Sequence, residues 1–275
     1  IMKTHIEKVV GHWKGKVHEW DVCNEVLSDD QGIVWTNPEG YTLRPSIWTV
    51  IGEDFLDSAF VWAHKADPNA VLILNDYGVE FKGDAKAEAF YNLAKSLKDR
   101  GVPIDGVGLQ CHLDVFGVDP GKLEKNIKRY NDIGLKCVIT ELDLGMDSNT
   151  ESNLRQQAQD YFNIAQVALK HNHCNELMIW GLTDNRSWRS NGNPLLFDAQ
   201  LNEKPAYYGL HAAVRQASGT DIQGGDGIEE AIANYGEPVK QTLYSLQGVP
   251  VGNSYRGPVL KVTLYKNGKK SIRKT

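Results

Sequence analysis

Residues 17–25 read VHEWDVCNE, a short apolar segment that ends in a carboxyl group at Glu25. Residues 136–141 read KCVITE and end in the same way at Glu141. Short β-branched segments are typical of parallel strands buried on both faces, and parallel α/β folds keep their chemistry at the carboxyl ends of such strands. Two carboxyl groups at two strand ends suggest an acid paired with a nucleophile or a base.

The pattern around these two segments predicts an α/β fold, because strand-like and helix-like segments alternate up to about residue 218. The strand candidates are residues 17–24, 71–75, 106–111, 136–140 and 176–182. The intervening helices show a 3.6-residue apolar period, and Asp84 and Asp119 are the predicted caps of two of them. The predicted inward faces of these two helices are Phe90, Leu93, Ala94 and Leu97, and Leu123, Ile127 and Tyr130.

Five βα units do not close a barrel, whereas eight do. The sequence therefore predicts about the last five units of a (β/α)8 TIM barrel, with the amino-terminal part of the barrel missing. An open, doubly wound sheet of five strands is the alternative. Such sheets usually carry a glycine-rich turn after an early strand, and none appears here.

The chain is predicted to have three parts. Residues 1–218 form the barrel portion, residues 219–239 form a turn-rich linker, and residues 240–275 form a small β appendage. A KNGKK turn at residues 266–270 suits a hairpin within the appendage.

Composition excludes several classes of function. The chain has 275 residues with 41% hydrophobic and 24% charged, which indicates a globular protein. A net charge of -5 gives no basic surface for nucleic acid, and no segment has the roughly 18 uninterrupted apolar residues of a membrane span. The four cysteines have no CxxC spacing and are interpreted as buried thiols.

Polar and aromatic residues cluster at the first three strand ends. Asn24 and Glu25 are neighbours, so both can reach one pocket only if the strand end is irregular; a surface loop is the alternative. Tyr77 follows the second strand and could stack on a sugar ring. Gln110 and His112 occupy alternate positions at the third strand end and are therefore predicted to share a face.

The last two strand ends add acids and tryptophans. Ile139, Glu141 and Asp143 are predicted to share a face, and two acids there repel each other unless cations or donors compensate; a helix-capping loop is the alternative. Trp180 and Trp188 flank a polar turn that suits a cleft for pyranose rings, although core packing is the alternative for Trp180.

With these motifs in view, the chain resembles the endo-β-1,4-xylanases of glycoside hydrolase family 10. WDVCNE is similar to that family's acid/base motif and ITELDL to its nucleophile motif, so the resemblance implies Glu25 as acid/base, Glu141 as nucleophile and Asp143 as a supporting acid. GLQCHL, LNDYG and WGLTDNRSW also resemble family segments. They imply that the remaining substrate-binding residues are Asn24, Tyr77, Gln110, His112, Trp180 and Trp188.

The resemblance implies retaining endo-hydrolysis of β-1,4-xylan, a reaction that needs neither a metal nor an organic cofactor. The implied partners are xylan or xylo-oligosaccharides, the missing amino-terminal barrel segment and an upstream carbohydrate-binding module. A secreted or cell-surface bacterial location is implied as well, and the β tail loosely resembles sorting modules of secreted hydrolases. Two alternatives stay open: a related retaining glycosidase acting on glucans, and an inactive xylan-binding fragment that depends on the missing strands.

Overall fold

The computed structural model describes residues 1–31, 39–52, 54–171, 174, 176–219, 238–246, 248–252, 255, 258–265 and 270–274. The helices are α1 (Met2–His12), α2 (Ile47–Ile51), α3 (Phe55–Ala66), α4 (Ala85–Asp99), α5 (Pro120–Asp132), α6 (Glu151–Lys170) and α7 (Pro205–Ala217). The strands are β1 (Glu19–Asn24), β2 (Val71–Asp76), β3 (Gly106–Leu109), β4 (His112–Asp114), β5 (Lys136–Gly145), β6 (Leu177–Ile179), β7 (Pro238–Ser245), β8 (Pro250–Val251), β9 (Val259–Tyr265) and β10 (Lys270–Lys274).

Five strands form one parallel sheet in the order β1-β2-β3-β5-β6, and the short strand β4 pairs beside the end of β5. Each step from one long strand to the next is parallel, with helices in the connections, which confirms the predicted succession of βα units. Within the described residues, β1 pairs only with β2, and β6 pairs only with β5. The carboxyl ends of five strands therefore lie at one rim, and the sheet has two open edges.

Local sequence explains where the helices begin and end. The Asp119 side chain accepts a hydrogen bond from the Lys122 N–H at 2.9 Å, Pro120 opens α5, and Gly134 follows the helix with φ +73°. Asp84 occupies the position before α4 but caps nothing with its side chain, which instead contacts Lys122 Nζ at 3.0 Å. Both predicted N-cap positions are thus confirmed, although only Asp119 caps its helix with a side-chain hydrogen bond.

The helices pack their predicted apolar faces against the sheet. Phe90, Leu93, Ala94, Leu97, Leu123, Ile127 and Tyr130 are all fully buried in one continuous core. The four cysteines are buried as free thiols, as expected. None of the described helices is long and apolar enough to cross a membrane.

The strands differ from prediction mainly at their ends. The first begins at Glu19 rather than Val17, the third ends at Leu109, the fifth shrinks to Leu177–Ile179, and β5 runs on to Gly145. The third strand cannot continue to residue 111 as predicted, because the φ of +61° at Cys111 is incompatible with an extended chain.

A separate antiparallel sheet, in the order β10-β9-β7-β8, follows in the carboxyl-terminal part. Strands β9 and β10 pair antiparallel with Lys270 opposite Leu264. The turn predicted at residues 266–270 lies outside the described residues except for Lys270, and so does most of the predicted linker. The predicted division into three parts stays a prediction.

Candidate active site

The end of β1 is irregular in the way that the Asn24–Glu25 neighbours require. Its register against β2 shifts between Asp21 and Cys23, and Glu25 adopts φ +54°. The backbone N–H of Glu25 still donates to the Asn75 carbonyl at 2.9 Å, so the distorted end is anchored. As a result the side chains of Asn24 and Glu25 both reach the same neighbour, Gln110, which confirms the predicted distortion.

Gln110 connects this strand end to the next. Its Nε2 donates to Asn24 Oδ1 and to Glu25 Oε1, both at 3.2 Å. The prediction that Gln110 and His112 share a strand face is wrong, because β3 ends before Gln110 and Cys111 interrupts the extended chain between them. Both nevertheless turn towards the site, Gln110 to Glu25 and His112 to Glu141.

Glu141 lies within β5 and is 9% exposed. Ile139 pairs with Leu177, and Leu142 pairs with Ile179. Between these two pairs β5 advances by three residues and β6 by two, so β5 contains one extra residue, a β-bulge. This bulge overturns the prediction that Ile139 shares a face with Glu141, because Ile139 instead packs in the core with Leu142.

His112 stands between two acids. Its Nε2 lies 3.4 Å from Glu141 Oε2, and its Nδ1 lies 3.0 Å from Asp143 Oδ2 in an ion pair rather than a well-aligned hydrogen bond. Burial lowers the pKa of His112, but the contact with Asp143 and the charges of both acids outweigh it, so the pKa is raised overall. The protonated imidazole would counter the repulsion between the two carboxylates.

Asp143 is fully buried and is held by two further donors. Trp188 Nε1 donates to its Oδ2 at 2.9 Å, and Arg189 Nη1 donates to its Oδ1 at 2.9 Å. The same Arg189 nitrogen donates to the Leu113 carbonyl at 2.9 Å, which fixes the guanidinium in place. These donors are the compensation that two neighbouring acids need, so the helix-capping alternative for them is excluded.

Tyr77 lies at the rim after β2 and is enclosed by charges. Its hydroxyl accepts from Arg44 Nη2 at 2.8 Å and donates to Asp29 Oδ1 at 2.7 Å, and Lys86 Nζ lies 3.5 Å from the ring centroid. Arg44 also reaches Glu25, with Nη1 3.5 Å from Oε2. The ring is therefore fixed beside Glu25, where it could contact a bound molecule.

The two tryptophans are open to solvent. Trp180 is 49% exposed and Trp188 is 65% exposed. Trp188 also packs edge to face on His112, with ring centroids 5.0 Å apart. Neither ring is packed in the core of the described sheet, and both are available to a ligand at the rim.

Sequence reasoning missed several residues that the site depends on. Arg44, Lys86 and Arg189 reach it from loops and from α4, where nothing in the local pattern marks them. Asn75, the last residue of the second predicted strand, belongs to this group as well, because its Nδ2 contacts both Asn24 Oδ1 at 2.9 Å and Glu141 Oε1 at 3.0 Å. Across the described ranges, no three His, Cys, Asp or Glu side chains converge in a way that could hold a metal ion.

Fold and site together define a class: an α/β protein of the barrel type with two glutamates at the carboxyl ends of its parallel strands. The family model for glycosyl hydrolase family 10 matches residues 1–213. The chain belongs to this family. Its five βα units are therefore units of a (β/α)8 barrel.

Relatives and solved structures agree with this assignment. Endo-1,4-beta-xylanase B of Thermotoga neapolitana is 36% identical over 224 residues, which are 78% of this chain and 62% of that protein. Exoglucanase XynX of Acetivibrio thermocellus is 37% identical over 220 residues, 76% of this chain and 19% of that protein. The structure of xylanase 10B from Thermotoga petrophila in complex with xylobiose matches with a TM-score of 0.70 and 36% identity, covering 78% of this chain and 64% of that one. The chain thus spans less than two thirds of these proteins.

Proposed function

We propose that this chain carries the catalytic pair of a retaining endo-1,4-β-xylanase, with Glu141 as the nucleophile and Glu25 as the acid/base. The observation that carries the proposal is the hydrogen-bonded link between the two strand ends. Gln110 contacts Glu25 and Asn24, and Asn75 contacts Asn24 and Glu141, so a continuous chain of hydrogen bonds joins the two carboxyl groups.

The chemistry proceeds in two displacements. Glu141 attacks the anomeric carbon, the glycosidic bond breaks, and Glu25 gives its proton to the departing oxygen. Glu25 then takes a proton from water, which attacks the same carbon and releases the sugar from Glu141. Two inversions leave the anomeric configuration unchanged.

Xylan is the proposed substrate because several relatives at this level of identity are xylanases and a related enzyme binds xylobiose. The exposed rings of Trp180 and Trp188 are suited to pack on pyranose faces beside Glu141, and Tyr77 is suited to do so beside Glu25. Asn24 is placed between the two carboxyl groups, where it can contact a sugar hydroxyl.

We propose further βα units as the partner of the open sheet. Among the described strands, β1 and β6 each have one unpaired edge, and such edges pair with additional strands. The half-exposed Trp180 lies directly after β6 and would gain a facing wall on closure. An upstream carbohydrate-binding module and a secreted location stay predictions.

A second candidate is hydrolysis of β-1,4-glucan. The observation that favours it is the 37% identity to an exoglucanase, which is as high as the identity to the xylanases. Glucose units carry a hydroxymethyl group at C5 that xylose units lack. An enzyme that hydrolyses glucan must therefore have room in its cleft for that group, whereas a xylanase need not.

Hydrolysis assays on xylan, cellulose and xylo-oligosaccharides test the proposal. They should be run on this chain alone and on the chain joined to three upstream βα units, with proton NMR of the first-formed product. We expect β-configured xylo-oligosaccharides, and more activity from the completed barrel. Preference for cellulose would favour the second candidate, an α-configured first product would refute retention, and no activity even in the completed barrel would refute the function.

A further inference from the structure

The amide of Asn75 lies at the centre of the site. Its Nδ2 donates one hydrogen to Asn24 Oδ1 at 2.9 Å and the other to Glu141 Oε1 at 3.0 Å. Its Oδ1 accepts from Thr140 Oγ1 at 2.8 Å. Asn75 is fully buried, so water cannot substitute for any of these partners.

The network allows only one orientation of this amide. A flipped amide would turn Asn75 Oδ1 towards Asn24 Oδ1 and Glu141 Oε1. All three oxygens are acceptors, so no hydrogen bond could form between them. The flip would also turn Nδ2 towards Thr140. Because its partners lie on β1 and β5, on both sides of the strand that carries Asn75, the amide acts as a rigid donor aimed at the carboxylate of Glu141.

Space for the amide depends on Gly108 in the neighbouring strand. Gly108 is the register partner of Asn75. A Cβ on Gly108 would lie 2.2 Å from Asn75 Oδ1 and 2.9 Å from Thr140 Cγ2. The glycine is therefore required for its lack of a side chain at this close approach.

Asn75 also decides which atom of Asn24 is left for a ligand. Asn24 Oδ1 already accepts from Asn75 Nδ2 at 2.9 Å and from Gln110 Nε2 at 3.2 Å. An amide oxygen has two lone pairs, so both are used. The amide nitrogen of Asn24 is the group that remains to donate to a sugar oxygen.

We propose that Asn75, held by Thr140 and accommodated by Gly108, is a positioning residue that aims Glu141 and orients the amide of Asn24 together. The proposal rests on the function proposed above, since it assigns Asn75 a role in that same site. By fixing both partners with one amide, Asn75 sets the geometry between nucleophile and sugar-binding group.

The test compares Asn75→Leu with the control Asn126→Leu in the full chain joined to three upstream βα units. Asn126 is also fully buried, but its Nδ2 donates to the backbone carbonyls of Val79 and Glu80, away from the two glutamates. We expect kcat/KM on xylo-oligosaccharides to fall about 10- to 100-fold for Asn75→Leu. The pH profile of kcat/KM should change as well, because the Glu141 carboxylate loses one of its hydrogen-bond donors.

His112 provides a readout that does not need activity. It contacts the other oxygen of Glu141, so Glu141 should interact more strongly with the imidazole once Asn75 no longer donates. NMR titration of labelled histidines, assigned with His112→Asn, should show a higher pKa of His112 in Asn75→Leu and no change in Asn126→Leu. The companion variant Thr140→Val, which keeps the shape of the side chain, should shift both readouts in the same direction by a smaller amount.

The outcomes are separable. Equal pH profiles and equal His112 titrations for Asn75→Leu and Asn126→Leu would overturn the role of Asn75. If Asn75→Leu does not fold, Thr140→Val decides by the same two readouts, and an unchanged Thr140→Val would overturn the role. A parent chain without hydrolytic activity refutes the proposed function instead, and the His112 titration then decides the role of Asn75 alone.

Discussion

Glu25 follows β1 and Glu141 lies within β5 of the same sheet, yet the protein surrounds them very differently. The Glu141 side chain is 12% exposed, with Asn75 on one carboxyl oxygen and His112 beside the other. The Glu25 side chain is 36% exposed, and its contacts to Gln110 and Arg44 are long, at 3.2 and 3.5 Å. A nucleophile must be fixed towards one atom, whereas an acid/base must exchange its proton with water, and the two environments fit these separate tasks.

The largest expected effect is at the enclosed carboxylate. Glu141→Gln removes the proposed nucleophile and keeps its shape, so kcat on xylo-oligosaccharides should fall by about four orders of magnitude or more. The measurement is a rate assay on the completed barrel, with circular dichroism to confirm folding. An activity within tenfold of the parent would refute the proposed role of Glu141, and the different surroundings of the two glutamates would then have no catalytic meaning.

The open carboxylate should show a loss that depends on the leaving group. Glu25→Gln should lower kcat/KM about 10²- to 10⁴-fold on xylo-oligosaccharides, whose leaving oxygen needs a proton. An aryl xylobioside with an acidic phenol leaves without one, so its cleavage step should be almost unaffected. Equal losses on both substrates would contradict the acid role.

The donors behind Asp143 offer a way to loosen the enclosed side selectively. Arg189→Met leaves the buried carboxylate of Asp143 without its guanidinium, so the free energy of unfolding should fall by about 3 kcal/mol. The uncompensated charge should also raise the pKa of His112 further, as NMR titration can measure. Arg186→Met, at an exposed position of the same loop, is the matched control and should change neither quantity.

A smaller effect connects the two sides. Asp21 lies on the strand of Glu25, but loss of solvation and the charge of Glu141 raise its pKa to about 6. Glu141→Gln should lower the pKa of Asp21, which carboxyl NMR can follow. An unchanged Asp21 titration would show that the charge at Glu141 does not extend to β1.

The same shift predicts a pH dependence of stability. A carboxyl group whose pKa is raised in the folded state stabilises that state below about pH 4, and this contribution is lost as the pH rises through about 6. The Glu141→Gln variant should lose less stability over this interval than the parent. Chemical denaturation at a series of pH values measures the difference.

Much of the architecture follows from local sequence. The alternation of short apolar strands and amphipathic helices predicts the order of the βα units, and the Asn24–Glu25 neighbours predict a distorted strand end. The bulge that moves Ile139 into the core is not predictable from alternation, because one extra residue reverses the faces of a strand.

Long-range contacts explain what the sequence could not predict. Arg44 lies in a loop 19 residues after Glu25, and Arg189 reaches Asp143 across 46 residues. A basic residue in a polar loop is normally solvated, so neither carried a signal. Asn75 did carry one: it is a polar residue that continues an apolar strand, and Gly108 lies at the matching position of the next predicted strand.

Covalent trapping tests directly whether Glu141 is the nucleophile. The completed barrel should be incubated with a 2-deoxy-2-fluoro xylobioside bearing an activated leaving group, and digested peptides should be analysed by mass spectrometry. We expect one added fluorinated sugar on the peptide that contains Glu141 and none on the peptide that contains Glu25. Label on any other residue, or turnover of xylan without trapping and with an inverted product, would contradict this expectation.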